Sequence, residues 1–221
     1  ALQKGSHPKG AEKTADGTMK DRLEKLADPL TMPFFIRDPG GRPMLIFENE
    51  KLKVRPLEID DKPLLVQWLT DPTVLAYYEG RDRPHDMETV HAHFYDRKDE
   101  VTRCIVEYDG QAVGYIQFYP LDASAKADYG YAQDDVIYGT DPFIGEPTLW
   151  NRGIGSLLVR SMTAYLIHKK GANRVVMDPQ TWNVRAIRCY ERCGFQKIKR
   201  LPKHEWHEGE LRDCWLMEYR P

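Results

Sequence analysis

Two glycines at the start of a predicted helix are well placed to bind an anion. Gly153 and Gly155 follow Arg152, and a residue without a Cβ lets a ligand approach the backbone closely. The first N–H groups of a helix have no partner within it, and the helix dipole adds partial positive charge there. Together with the Arg152 cation, these groups predict a phosphate or pyrophosphate site. The alternative is a glycine-containing loop before an ordinary packed helix.

The elements on either side would hold this site in place. Apolar residues recur at helical spacing after Ile154, at Leu157, Leu158, Met162 and Leu166, so the helix has one face for a core. A strand is predicted over 135–144, directly before the glycines. The N-terminus of the helix is therefore expected to be fixed at the end of a central strand.

Two segments of the chain resemble one enzyme family. Residues 150–155, Trp-Asn-Arg-Gly-Ile-Gly, resemble the acetyl-coenzyme A pyrophosphate loop of the GCN5-related N-acetyltransferases. Trp150 stands where that family has Gln or Arg, which affects one side-chain contact and leaves the backbone cradle. Residues 183–195 resemble the family's next helix and strand. The resemblance implies an α+β, GCN5-related N-acetyltransferase fold, with a mixed, mostly antiparallel sheet and helices on both faces. It also implies acetyl-coenzyme A as co-substrate.

The acetyl donor is expected at the end of the central strand and at the glycine helix. Gly145 and Pro147 would end strand pairing, which would free backbone groups for the pantetheine arm and the thioester carbonyl. The resemblance implies that Asn183 bonds to the same arm, whereas a helix N-cap is its simpler role. The predicted donor-binding residues are Phe143, Ile144, Gly145, Arg152, Gly153, Ile154, Gly155, Ser156, Asn183 and Ala186.

Two side chains are candidates for the proton transfers of acetylation. Asp141, at the end of the central strand, is the candidate base, because a carboxylate there can accept a proton from an amine and attract its cation. An Asp-Pro turn is the alternative reading. Tyr190 is the candidate acid for the leaving thiolate, and a tyrosine packed in the core is its alternative.

Acidic and aromatic residues gather near the predicted strand ends. Such a cleft suits a polycationic ligand with sugar-like faces, although acids also simply favour loops. Tyr77–Asp82, Gly139–Pro147 and Met177–Pro179 are similar to segments of the aminoglycoside 6′-N-acetyltransferases, above all the acetyltransferase half of a bifunctional resistance enzyme. The similarity runs from about Leu52 to the C-terminus and implies that Asp178 binds drug amines. The predicted substrate-binding residues are Tyr78, Glu79, Asp82, Gln117, Asp135, Asp141 and Asp178.

Composition limits the other partners. The 221 residues are 41% hydrophobic and 30% charged with a net charge of −2, which gives no general attraction to nucleic acid or an anionic membrane. The four cysteines include no Cys-x-x-Cys pair and are expected to be reduced thiols in a cytoplasmic protein. No metal is expected, since His204–Glu208 does not match the His-Glu-x-x-His pattern. The partner is therefore expected to be a polycationic small molecule, and the chain a monomer or homodimer.

The chain divides into three predicted parts. Residues 1–18 are expected to be a tag or disordered arm, and residues 19–50 an extension with a helix at 19–27 and an added strand at 44–47. Residues 51–221 are expected to form the acetyltransferase domain. Within it, 120–134 is predicted as a loop, and strands at 195–200 and 213–219 are predicted to close the sheet.

These observations favour acetylation of the 6′-amine of an aminoglycoside, by direct transfer in a ternary complex, as a resistance activity. Two alternatives stay open. The chain could acetylate another amine, such as a polyamine, a protein N-terminus or a siderophore lysine. It could also be a non-catalytic module that binds acyl-coenzyme A.

Overall fold

An eight-stranded sheet forms the centre of the molecule. The computed structural model describes residues 45–49 and 51–221. In the described residues the strand order is β1-β2-β3-β4-β5-β6-β8-β7, and the β5–β6 pair is parallel while the other neighbours are antiparallel. The strands are β1 Phe47–Asn49, β2 Leu52–Pro56, β3 Thr102–Tyr108, β4 Gln111–Pro120, β5 Ile137–Ile144, β6 Arg174–Met177, β7 Gln196–His207 and β8 Glu210–Tyr219.

Helices cover both faces of this sheet. They are α1 Lys62–Trp68, α2 Pro72–Leu75, α3 Met87–Val90 with a π-helical turn His91–Tyr95, α4 Ala123–Tyr129, α5 Ile154–Lys170 and α6 Val184–Arg192, with 3-10 turns at Ile59–Asp61 and Pro147–Leu149. The architecture confirms the predicted α+β fold with a mixed sheet.

The first core lies between the sheet and helices α5 and α6. Leu158, Met162 and Leu166 of α5 are fully buried, at the spacing that the sequence predicts for one helical face. They pack in one cluster with Ile116 of β4 and Met217 of β8. This packing fixes the direction in which the N-terminus of α5 points.

The second core lies under α1, α2 and the π-helical turn. Trp68 of α1 is its largest buried side chain and meets Phe143 of β5 edge to face, with ring centroids 6.0 Å apart. Gly145 passes so close to the indole that a Cβ there would lie 2.3 Å from Trp68. Trp68 also donates from Nε1 to Oε1 of Glu146 at 2.9 Å. The α1 layer thereby holds the end of β5 in place.

The parallel pair β5–β6 opens after three residue pairs. Its register runs from Ile137 opposite Arg174 to Gly139 opposite Val176, and beyond Gly139 no strand of residues 45–49 or 51–221 pairs with β5 on that side. On the other side β5 stays paired with β4, and the Gly145 N–H bonds to the Val113 carbonyl at 2.9 Å. A gap therefore forms in the sheet beside residues 140–144.

Three predictions of local structure need correction. The added strand is Phe47–Asn49 rather than 44–47, and the predicted helix at 19–27 lies outside the described residues. The predicted loop 120–134 contains α4, which Asp122 caps by accepting a bond from the Ala125 N–H at 2.8 Å. Gly130, at φ +83°, ends that helix. Asp122 and Gly130 are sequence features of helix ends that the loop prediction overlooked.

The third correction concerns the closing hairpin, which is longer than predicted. Strands β7 and β8 pair as far as His207 opposite Glu210, across two irregularities of register. The turn residues Glu208 and Gly209 both have positive φ, as a two-residue hairpin turn requires. The residues from Lys203 onward do not alternate between polar and apolar, so the sequence pattern did not predict that the strand continues to His207.

Candidate active site

The N-terminus of α5 is presented without a side-chain cap. Gly153 precedes the helix in a left-handed conformation, with φ +86°, and among the described residues no side chain bonds to the first-turn N–H groups. Asn151 before it also has positive φ, at 61°. The chain thus turns sharply from the end of β5 into the helix. The first N–H groups of α5 are left for a ligand.

These N–H groups border a cavity of about 550 Å³, which we call the α5 cavity. It lies beside the gap in the sheet, between β5, α5 and α6. Its lining is Val74, Tyr77, Tyr78, Pro142, Phe143, Ile144, Leu149, Trp150, Asn151, Gly153, Gly155, Ser156, Leu158, Val159, Asn183, Arg185, Ala186, Cys189, Tyr190 and Arg192.

Most of the predicted donor-binding residues line the α5 cavity, but three do not. Arg152 is exposed outside the lining, Ile154 is buried in the core, and Gly145 packs against Trp68. For Ile154 the reason is geometric, because only part of each turn of a helix can face one cavity. A Cβ on Gly155 would lie 3.8 Å from Cys189 Sγ, which is an ordinary van der Waals contact. An alanine would therefore fit at this position, although its methyl group would take up some space in the cavity.

The gap in the sheet exposes backbone groups of β5 to the α5 cavity. Because the Gly145 N–H bonds toward β4 and successive residues alternate, the backbone of Ile144 faces the gap. Trp150 confirms this direction, since its Nε1 donates to the Ile144 carbonyl at 2.8 Å. The Ile144 N–H therefore points to the side where a bound carbonyl would lie.

Asn183 serves as the N-cap of α6. Its Oδ1 accepts a bond from the Ala186 N–H at 3.2 Å, which is the simpler role that the sequence offered. Asn183 and Ala186 also line the α5 cavity. The cap fixes the side chain of Asn183 at the edge of that cavity.

A second cavity, of about 500 Å³, adjoins the first at Tyr77, Tyr78, Pro142 and Asn183. Four carboxylates face it, and we call it the acidic cleft. Its lining is Tyr77, Tyr78, Glu79, Arg83, Gln117, Tyr119, Asp141, Pro142, Asp178, Pro179, Gln180, Trp182, Asn183, His204, Glu205 and Trp206. A cationic ligand would fit this charge distribution.

Asp141 lies where the acidic cleft meets the α5 cavity, next to Pro142, which lines both. Its Oδ2 accepts a bond from Gln117 Nε2 at 2.9 Å, and Gln117 Oε1 accepts one from the Tyr115 hydroxyl at 2.8 Å. Burial, with the charge of Asp178 as a second cause, raises the pKa of Asp141 to about 7. A carboxyl group whose pKa lies near 7 is partly ionised at physiological pH, and its ionised form can accept a proton.

Asp178 and Glu205 are two further carboxylates that line the acidic cleft. Asp178 Oδ2 lies 3.0 Å from Nε2 of His204, and this contact raises the pKa of the imidazole. Glu205 accepts a bond from Gln180 Nε2 at 2.9 Å. Burial raises the pKa of Glu205, and the Asp178 charge acts in the same direction. Both carboxylates are thus held in place by neutral or weakly basic partners, without a lysine or arginine from the described residues.

Tyr190 lies on α6 and lines the α5 cavity. Burial raises the pKa of its phenol, and the charges of Cys189, Asp141 and Asp178 raise it further. The hydroxyl therefore stays protonated at neutral pH and can donate a hydrogen bond. Its ring contacts Phe195, with centroids 6.2 Å apart, so Tyr190 is also packed as the alternative reading expected.

Two predicted substrate residues lie away from the acidic cleft. Asp135 precedes β5, at the end opposite to Ile144, and pairs with Arg174 at 3.2 Å. Asp82 is exposed and does not belong to the lining, whereas its neighbours Glu79 and Arg83 do. The other five predicted substrate residues all line the acidic cleft: Tyr78, Glu79, Gln117, Asp141 and Asp178.

The sequence also missed part of the acidic cleft. Tyr119, Gln180, Trp182, His204, Glu205 and Trp206 line it without having been predicted. Tyr119 follows Gln117 on the same face of β4, which period-two alternation could have indicated. The three hairpin residues reach the acidic cleft only because β7 continues to His207.

A family comparison agrees with this geometry. The model of the acetyltransferase (GNAT) domain matches residues 58–202, which is more than half of the chain. The chain belongs to the GNAT acetyltransferases. The matched region begins before α1 and ends within β7, so it holds both cavities apart from the end of the hairpin.

This GNAT domain is also similar to individual proteins. The aminoglycoside N(6′)-acetyltransferase type 1 of Klebsiella pneumoniae is 25% identical over 152 residues, which are 67% of this chain and 76% of that protein. The solved structure of AAC(6′)-Ib in complex with ribostamycin and coenzyme A has a TM-score of 0.60 and 22% identity, over 77% of this chain and 93% of that one.

A structure with a different acceptor is similarly close in fold. Spermidine N-acetyltransferase from Vibrio cholerae, in complex with coenzyme A and spermine, has a TM-score of 0.61 and 16% identity. The match covers 78% of this chain and 96% of that one. At these identities the structural likeness establishes the GNAT fold.

Proposed function

We propose that this GNAT acetyltransferase moves an acetyl group from acetyl-coenzyme A to the 6′-amine of an aminoglycoside, by direct transfer in a ternary complex. The observation that carries the proposal is the pair of joined cavities, with Asp141 at their junction. One cavity offers backbone donors to an anion, and the other offers four carboxylates to a polycation.

The α5 cavity fits acetyl-coenzyme A, which is the co-substrate. The uncapped N-terminus of α5 suits the pyrophosphate, and the open side of β5 suits an extended arm that bonds to backbone groups. When bound, acetyl-coenzyme A supplies an activated thioester carbonyl. The Ile144 N–H is the group of this chain that would polarise that carbonyl as negative charge develops on it.

Asp141 is proposed as the general base. An ammonium in the acidic cleft must lose a proton before it can attack, and Asp141 lines the acidic cleft directly before Pro142, which lines both cavities. Its raised pKa matches the task, because a base is most effective when its pKa lies near the working pH. Gln117 keeps the carboxylate oriented by its bond to Oδ2.

Tyr190 is proposed to donate a hydrogen bond to the leaving thiolate. Its hydroxyl remains protonated because burial raises the pKa, and it lines the α5 cavity. Direct transfer is favoured because the acidic cleft adjoins the α5 cavity, so an amine beside Asp141 can reach the thioester without a carrier. Cys189 and Ser156, which line the α5 cavity, lie near the first turn of α5 and contact each other at 3.3 Å.

The acceptor follows from the acidic cleft. Glu79, Asp141, Asp178 and Glu205 surround a space that is also bordered by Tyr77 and Trp182. Several ammonium groups on a rigid sugar frame would meet these carboxylates, and the sugar faces would pack on the rings. The likeness to the aminoglycoside N(6′)-acetyltransferase of Klebsiella pneumoniae supports this assignment.

Thiol release in the presence of different amines tests the proposal. We expect acetyl-coenzyme A to be consumed with kanamycin A and not with the matched derivative that has a hydroxyl in place of the 6′-amine. Equal rates with the two would show that another amine is acetylated. No release with any amine, despite binding of coenzyme A, would leave the chain as a binding module.

A polyamine is the second candidate acceptor. The four carboxylates would also suit a linear polycation, and the fold is shared with the spermidine N-acetyltransferase of Vibrio cholerae. The aromatic residues of the acidic cleft favour the sugar. A kcat/KM for spermidine above that for kanamycin A would reverse this order.

A further inference from the structure

Arg185, near the start of α6, is held at the wall of the α5 cavity by two aromatic rings. Its Cζ lies 3.7 Å from the ring centroid of Trp150 and 4.1 Å from that of Tyr77. The two rings stand at 89° to each other, with centroids 5.6 Å apart, and so form a corner around the guanidinium. Ring faces attract a cation and keep water from that side of it.

This corner is itself fixed. The indole of Trp150 is anchored by its bond from Nε1 to the Ile144 carbonyl at 2.8 Å. Tyr77 packs on Trp182, with ring centroids 5.5 Å apart. The guanidinium is therefore positioned before any ligand arrives, which reduces the conformational entropy that binding must remove.

Arg185 has no acidic partner among the residues that the structure describes. Its contacts are the two rings, and no carboxylate or carbonyl of the described chain accepts a bond from it. Burial lowers the pKa of this guanidinium, and only the phenols of Tyr77 and Tyr190 act against the shift. A half-buried cation with unused donors is costly unless an anion binds to it.

The surrounding cavity indicates which anion this is. Arg185 lines the α5 cavity together with Gly153, Gly155 and Ser156, the residues at the uncapped end of α5. An anion there would face backbone N–H groups on one side and the guanidinium on another. A planar guanidinium can bond to two oxygens at once, as a pyrophosphate offers.

We propose that Arg185 binds the pyrophosphate of acetyl-coenzyme A and that Trp150 and Tyr77 hold it in position to do so. A cation from α6 thus serves the loop before α5, whose own Arg152 is exposed outside the cavity. The inference rests on acetyl-coenzyme A as co-substrate and does not depend on which amine accepts the acetyl group.

Calorimetric titration without any amine tests the proposal. Coenzyme A and 3′-dephospho-coenzyme A both keep the pyrophosphate, whereas pantetheine, measured by competition, lacks all phosphates. Arg185→Gln should raise the Kd of coenzyme A and of 3′-dephospho-coenzyme A by the same factor, about tenfold or more for the loss of a charged hydrogen bond. The Kd of pantetheine should not change. Arg188→Gln, an exposed arginine of the same helix, is the matched control and should bind all three like wild type.

Other outcomes would overturn the proposal. An equal loss for pantetheine would mean that Arg185 only supports the packing of α6. A loss confined to coenzyme A would place the contact at the 3′-phosphate. If wild-type protein failed to bind coenzyme A, the donor assignment itself would be wrong, and this is distinguishable from unchanged binding by Arg185→Gln.

The aromatic corner is tested by a double-mutant cycle. Trp150→Leu should weaken the binding of coenzyme A, because Arg185 is then poorly positioned. Arg185→Lys should bind coenzyme A more tightly than Arg185→Gln but less tightly than wild type, because lysine has the charge without the planar guanidinium. With Arg185→Gln already present, Trp150→Leu should cost little more, since the two residues then act as one unit. Full additivity of the two losses would show that the ring does not act through the guanidinium.

Discussion

The α5 cavity and the acidic cleft adjoin each other but are built in different ways. Two continuous segments, 142–159 and 183–192, supply most of the α5 cavity, and the groups proposed to bind the donor there are mainly backbone N–H groups. The acidic cleft takes its side chains from five separate places: residues 77–83, β4, Asp141 of β5, residues 178–183 and the end of β7.

This difference separates a general site from a specific one. A pyrophosphate needs N–H groups and a helix end, which many sequences can provide once glycine allows the turn. An acceptor amine is proposed to be selected by carboxylates that come from separate elements of the fold. Substitutions on the two sides should therefore affect different ligands.

Asp141→Asn should give the largest effect. Loss of the proposed base should reduce kcat by about a hundredfold or more, the usual range for a positioned base. Binding of coenzyme A, measured by calorimetry, should not change, and Asp134→Asn, an exposed neighbour of β5, should keep the wild-type rate. A fully active Asp141→Asn would remove Asp141 from the mechanism.

Asp178→Asn and Glu205→Gln should affect the acceptor alone. Each removes a carboxylate that lines the acidic cleft, and the KM for the amine should rise by about tenfold, as for the loss of one charged hydrogen bond. The KM for acetyl-coenzyme A should stay constant. Glu210→Gln, at the exposed end of the same hairpin, is the control. A parallel rise in both KM values would contradict the division into two sites.

Gly153→Ala should affect the donor alone, and by less. Gly153 has φ +86°, and a left-handed alanine costs about 1 kcal/mol, so binding of coenzyme A should weaken several-fold. Gly130→Ala is matched to it, because that residue has φ +83°, an equally open surrounding and a place outside both cavities. A raised KM for the amine in Gly153→Ala would show that the two cavities are coupled.

The smallest effect is on stability and concerns Asp141 again. Its folded pKa is raised, so the folded protein holds this proton more tightly than the unfolded chain does. The stabilisation is complete at pH below about 4, the unfolded value, and is lost as pH rises to about 7. Asn does not ionise, so Asp141→Asn should have the higher Tm at pH 8 by a few degrees, with little difference at pH 4. A lower Tm for the variant at pH 8 would contradict the buried setting of this carboxylate.

Residues that act through contiguous backbone could be predicted from the sequence. Helix α5 begins at Ile154, between the two glycines that indicated it. Asn183 caps α6, which is one of the two roles predicted for it. These features depend on neighbours within a few residues, which a pattern can capture. Arg152 was placed in the cavity because of its proximity in sequence, whereas the turn at Asn151 directs it outward.

Residues that act from distant strands could be predicted only in part. Asp135 and Asp141 are six positions apart and looked equally suited to the substrate, yet they lie toward opposite ends of β5, and Asp135 pairs with Arg174. Glu205 joins the acidic cleft because the hairpin continues beyond the predicted strand end. Arg185 became informative only when its contacts with Trp150 and Tyr77 were known.

The sequence by itself determined the helix end at Gly153 and the packed face of α5, because these follow from local patterns of glycine and apolar spacing. It indicated the GNAT family and its α+β fold through the resemblance of residues 150–155 and 183–195 to that family. The tertiary structure decided which carboxylates share one cleft, which arginines line the α5 cavity, and where the sheet opens between β5 and β6. Those depend on strand order and register, which bring together residues far apart in the chain and which no local pattern specifies.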